Sequence, residues 1–186
     1  MKSSPSITTQ FIPRREALQR LALLVGSTLS LPVQAALRGE AKNDNPIRFS
    51  ADQQTLVANL ADIIIPPTDT PGAKDAGVDQ FIDYVIGHCS AANQQELFQR
   101  GLRQTEQLSQ AAFGKPFAGL TTPQRIDIVG QLAQREKPFF LSLRELTIVG
   151  YFTSEPGATK ALDYVPIPGR FQGDIPLTPN QKSWAI

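Results

Sequence analysis

Apolar side chains recur along this chain at helical spacing, and prolines cut the runs short. Leu56, Val57, Leu60, Ile63 and Ile64 fall on one helix face. Ser50 offers an N-cap for that helix, and Gln53 three residues on completes a capping box. Pro66-Pro67 ends it, because proline disfavours helical geometry in the residue before it. After a polar, turn-rich stretch from Thr68 to Asp75, Val78, Phe81, Ile82, Val85 and Ile86 predict a second helix, with Asp79 and Asp83 on its other face. A third is expected from Asn93 to about Ala112, with Leu97, Phe98, Leu102 and Leu108 inward. Thr122 and Pro123 start a fourth, whose apolar side is Ile126, Ile128, Val129 and Leu132. Pro138 opens a fifth, Phe139 to about Thr153, apolar on most sides and therefore expected at the centre. One short helix to about Leu162 completes the set. Strand alternation is scarce, so the expected fold is all-α: a single compact domain of about five or six helices. The prolines at 166, 168, 176 and 179 prevent continuous helix from about Tyr164 onward, giving a proline-rich C-terminal arm.

The N-terminal 35 residues read differently. Arg14-Arg15 precede an uncharged apolar run, Leu21 to Leu31, which is 11 residues long. A membrane-spanning helix needs roughly 20. Paired arginines before so short a run are expected of a twin-arginine export signal, a route that carries folded proteins; the alternative is an ordinary secretory leader that contains two arginines, and Glu16 is unusual in either. Pro32 is expected to break the leader helix, and Val33-Gln34-Ala35 supplies small residues for cleavage after Ala35. The expected organisation is a signal peptide over 1–35, a polar linker over 36–49 and a helical domain over 50–186.

Removal of the leader leaves 151 residues with 14 Lys/Arg against 16 Asp/Glu. That length suits one core. The basic excess of a nucleic-acid binder is missing. A single cysteine, Cys89, rules out internal disulfides. Cys89 either packs as a small apolar side chain or bonds to another chain in an oxidising compartment.

Catalytic groups are few. His88 is the only histidine and stands beside Cys89; neighbours on a helix point roughly 100° apart, which suits neither a nucleophile–base pair nor chelation of one metal. Asp79 and Asp83, four apart, could form the paired carboxylates of a free-standing periplasmic enzyme, or simply a solvated face beside a polar loop. No phosphate-binding, flavin, nicotinamide or haem-attachment motif is present. A third alternative, a small-molecule binding protein, would need a cleft the sequence does not announce.

Three stretches carry a resemblance. The stretch from Leu60 through Pro66-Pro67-Thr-Asp-Thr-Pro-Gly72 to Asp83 resembles the opening signature of the gluconate 2-dehydrogenase subunit 3 family. Phe140-Leu-Ser-Leu-Arg-Glu-Leu-Thr-Ile-Val-Gly-Tyr-Phe-Thr-Ser-Glu155 resembles its second signature, and Tyr164-Val-Pro-Ile-Pro-Gly-Arg-Phe-Gln-Gly173 its closing segment. The resemblance implies a mostly helical, non-catalytic small subunit of a periplasmic dehydrogenase complex acting on a sugar, sugar acid or polyol. It also implies that FAD belongs to a large GMC-type partner and haem c to a multihaem cytochrome partner, with no cofactor in this chain. The small subunit would help the large one mature and carry it through the twin-arginine translocase, and membrane association would come through the complex. Arg14 and Arg15 are then the export residues, Cys89 a candidate for an intersubunit disulfide, and Tyr151, Phe152, Tyr164, Phe171 and Trp184 candidates for the interface. A proline-rich arm suits wrapping a partner, because proline restricts the chain before it binds.

Overall fold

Pro32 stands in the first turn of a helix, and the leader helix it was expected to end lies mostly outside the described residues. In the computed structural model, which describes residues 29–39, 46–165, 167, 169, 176, 179 and 181–185, α1 (Leu31–Leu37) has Ser30 as its N-cap and Pro32 in its first turn. Proline costs nothing there, since its missing N–H would have no helical partner anyway. Residues 46–49 lie in the stretch expected to be linker, yet Phe49 is buried and stacks on Phe98 with ring centroids 5.6 Å apart.

α2 (Ala51–Ile64) starts with the capping box read from the sequence: Gln53 N–H donates to the Ser50 hydroxyl, and Ser50 N–H to the Gln53 side chain. Leu56, Val57, Leu60 and Ala61 face the core. α3 (Val78–Tyr84) is shorter than its periodicity predicts, because the chain loosens into a π turn over Val85–Cys89. The Ser90 hydroxyl donates to Val85 O, and Gln95 Nε2 to the carbonyls of Ile86 and Gly87. These bonds satisfy backbone oxygens in the region where the α-helical ladder is interrupted. Gly87 is required at the turn: a Cβ there would lie 2.3 Å from Ile47 O, so the 46–49 segment could not pass.

α4 (Ala92–Phe113) packs a narrow stripe of Phe98, Gly101, Leu102, Thr105 and Ser109 inward, while Leu97 and Leu108 are half-buried. The Thr105 and Ser109 hydroxyls donate to carbonyls one turn back, so both are satisfied inside the apolar interior. A 3-10 turn, Phe117–Gly119, leads to α5 (Thr122–Arg135), with Pro123 in its first turn and Ile128 and Leu132 buried. α6 (Lys137–Phe152) contacts α2, α3, α4 and α5 and is the central helix the sequence predicts. Its Phe139 ring sits edge-on to Phe98 at 5.1 Å.

The last predicted helix is a π turn over Gly157–Ala161. Two-residue strands β1 (Asp163–Tyr164) and β2 (Trp184–Ala185) then pair in parallel, so the end of the arm returns to the domain. Lys182 Nζ donates to Lys160 O beside that pair. The described residues form an all-α domain, and no helix among them is long and apolar enough to cross a membrane.

Candidate functional site

The first and second sequence blocks meet at a loop. Pro66 to Gly77 leaves α2, folds back and enters α3. Ala73 N–H donates to Ile65 O at 2.9 Å, closing the loop at its base. Gly72 fits against Asp62 and Pro67, where a Cβ would lie 2.5 Å from Asp62 Oδ1. Tyr151 of α6 reaches across, and its hydroxyl donates to Pro71 O at 2.7 Å. At the exposed tip, the Thr68 hydroxyl donates to Asp69 and, with nearby backbone N–H groups, holds its carboxyl below the usual carboxylate range.

Tyr151 is therefore a core residue, 2% exposed, in the described chain. Its neighbour Phe152 points outward, 41% exposed, and lines up with Leu141 and Ile148. Spacings of seven and four place these three within roughly 40° of one another around the helix axis. Glu145 lies in the same row, half-buried, and its Oε1 accepts from Ser30 N–H at 2.6 Å. Leu31, the next residue, is 72% exposed. The outer side of α6 thus presents an apolar row with the start of α1 tied to its middle. The sequence pointed to Phe152 alone here. Leu141 and Ile148 were hidden because a helix apolar all round does not announce which side stays open.

Asp79 and Asp83 do not form a matched solvated pair. Asp79 is half-buried, whereas Asp83 is 8% exposed and accepts from the buried Phe49 N–H at 2.8 Å. Asp83 borders a cleft of about 270 Å³ that Arg48, Tyr84 and His88 also line, and Asp79 does not. His88 stacks on Tyr84, one turn earlier, at 4.9 Å between centroids, and Cys89 faces the core at 4% exposure. His88 and Cys89 point to different environments, as their adjacency predicts. A bond from Cys89 to another chain would first require the π turn to open. Among the described residues no three His, Cys, Asp or Glu side chains converge to hold a metal. A larger open groove, about 650 Å³, runs between α2, α4 and the 116–118 turn; Leu56, Leu102 and Pro116 supply its apolar wall.

Of the remaining sequence candidates, Tyr164 is 49% exposed in β1. Trp184 enters through its backbone, as the first residue of β2. Arg14, Arg15 and Phe171 lie outside the described residues.

The family described as Gluconate 2-dehydrogenase subunit 3 matches residues 51–169, from the first turn of α2 to Gly169. The chain belongs to that family. Membership makes this chain a subunit of the accessory type, part of a multi-subunit dehydrogenase complex. The match spans both blocks joined by the Tyr151–Pro71 bond and the whole of α6, and it leaves the N-terminal residues 1–50 outside. No curated protein and no solved structure matches the chain.

Proposed function

We propose that this chain is the non-catalytic small subunit of a periplasmic flavin-dependent dehydrogenase for a sugar, sugar acid or polyol. It binds the large FAD-carrying GMC-type subunit, supports its maturation and carries it through the twin-arginine translocase. FAD resides in that partner, and a multihaem cytochrome c takes the electrons onward, so membrane association comes through the complex.

The observation that carries this reading is the apolar row Leu141, Ile148 and Phe152 on α6, left exposed inside a block characteristic of a subunit family. Apolar and aromatic side chains aligned on a rigid helix, flanked by polar groups, have the anatomy of a protein–protein contact. The twin-arginine pair adds the export role, because that route takes folded cargo. A complex assembled in the cytoplasm can cross on one member's signal.

The alternative, an independent enzyme using Asp79 and Asp83, has less support. One oxygen of Asp83 is committed to the Phe49 backbone, and Asp79 does not share the cleft.

The test replaces Arg14 and Arg15 together by lysine and follows both proteins by fractionation. Retention of both in the cytoplasm is expected. Arrival of the large subunit in the periplasm without this chain would overturn the escort role.

A further inference from the structure

The residues a signal peptidase would read are part of the folded core. Leader cleavage needs small side chains at the third and first positions before the cut, presented in extended chain. Here those positions are Val33 and Ala35, and both sit inside α1 at 0% and 2% exposure. Both belong to the same hydrophobic cluster as Val85, Ile86 and Leu146.

One further contact ties the segment to α6, and two brace it internally. Ser30 N–H donates to Glu145 Oε1 on α6 at 2.6 Å. Gln34 N–H donates to Ser30 O at 3.0 Å, and Gln34 Nε2 to Leu29 O at 2.8 Å. Pro32 is also buried, so the side chains of residues 32, 33 and 35 all enter the domain. Extending Val33-Gln34-Ala35 into a protease cleft requires unwinding α1 and withdrawing these side chains together.

We infer that folding itself protects the bond after Ala35, so that the chain keeps its leader once the domain has formed. This rests on reading residues 1–35 as a twin-arginine leader, and it revises the expectation of a 151-residue mature chain. It fits a route that moves folded cargo, since the site is closed before the translocase is reached. It also has a consequence for docking. The retained segment holds Leu31 beside the Glu145 position in the apolar row of α6, so the export signal stays joined to the surface proposed to bind the large subunit.

The experiment needs neither export nor the large subunit, so its failure is separable from failure of the escort role. Purified full-length chain and a synthetic peptide of residues 21–45 are incubated with the same bacterial signal peptidase, and cleavage after Ala35 is followed by mass spectrometry. When reclosing outpaces cutting, proteolysis tracks the population of the opened form, so the folded chain should be cut at least about 100-fold more slowly than the peptide. Glu145→Ala lies outside the cleavage sequence and removes the acceptor for Ser30 N–H; it should speed cleavage of the folded chain about tenfold. Equal rates for the folded chain and the peptide would overturn the inference. So would a peptide that is not cut at all, because the sequence rather than the packing would then be the barrier.

Discussion

The Tyr151 hydroxyl donates to the Pro71 carbonyl at 2.7 Å, across 80 residues of chain. This bond closes the loop of the first family block onto the central helix of the second. Tyr151→Phe keeps the ring and leaves Pro71 O without that donor. The expected loss is about 1 kcal/mol, the net worth of such a bond. Tyr151→Ala also opens a cavity beneath the loop and should cost about 3–5 kcal/mol. Urea titration of both variants checks the order. Equal stability of Tyr151→Phe and the unaltered chain would mean that the loop is held by Ala73 and Gly72 alone.

Glycine acts oppositely at two helical positions. A Cβ at Gly101 would lie 2.1 Å from Phe139 Cγ, so Gly101→Ala must push the ring off its contact with Phe98. Overpacking of this kind costs about 1–3 kcal/mol. Gly130 stands exposed in α5 with nothing within 4 Å of its would-be Cβ. Gly130→Ala should stabilise by up to about 1 kcal/mol through helix propensity. Thermal melts of the two variants should move in opposite directions.

Helices were legible in the sequence because each has a local cause. Ser50 and Gln53 cap α2, Pro66-Pro67 ends it, and Pro123 and Pro138 open α5 and α6. What was not legible depends on contacts distant in sequence. The π turn at Val85–Cys89 exists where Ile47 passes over Gly87 and Gln95 reaches back to two carbonyls. Nothing in the local run of Val85, Ile86 and Gly87 signals either partner. Proline both stops and starts helices, so Pro32 alone does not announce the helix Leu31–Leu37, which the docking of Val33 and Ala35 holds in place. At the candidate site, Phe152 was identifiable as an aromatic in a signature block. The full row needed the packing of α6 to show which side its neighbours leave open.

Asp83 illustrates the same lesson and can be tested alone. Its carboxylate accepts from Phe49 N–H, a donor otherwise buried between α3 and α4. Asp83→Ala would leave that N–H unmet and should cost about 1–3 kcal/mol, whereas Asp83→Asn keeps an acceptor and should cost less. Unfolding midpoints of the two variants measure the difference. If neither variant changes stability, the Phe49 contact is not what Asp83 is there for, and the cleft beside Asp83 regains standing as a site.

The outer row of α6 gives the most direct test of complex formation. Ile148 and Phe152 are each 41% exposed, so their outer halves contribute little to the fold of the isolated chain. Lysine at both positions can lay its stem over the same surface and lift its charge into water. Ile148→Lys with Phe152→Lys should therefore leave the circular dichroism spectrum unchanged and stability within about 1 kcal/mol. In a complex the same ammonium groups would have to be desolvated against a partner. Truncating a central aromatic anchor typically costs 2 kcal/mol or more, about a 30-fold loss of affinity, and a buried charge adds to that. Co-expression with the large subunit, followed by affinity capture of this chain, should recover much less partner for the double variant. Reversal of Lys115 to glutamate, in the turn after α4 and off the row, serves as the control for a general charge effect. Undiminished recovery with the lysine pair would remove α6 from the interface and redirect the search to Tyr164 and the C-terminal arm.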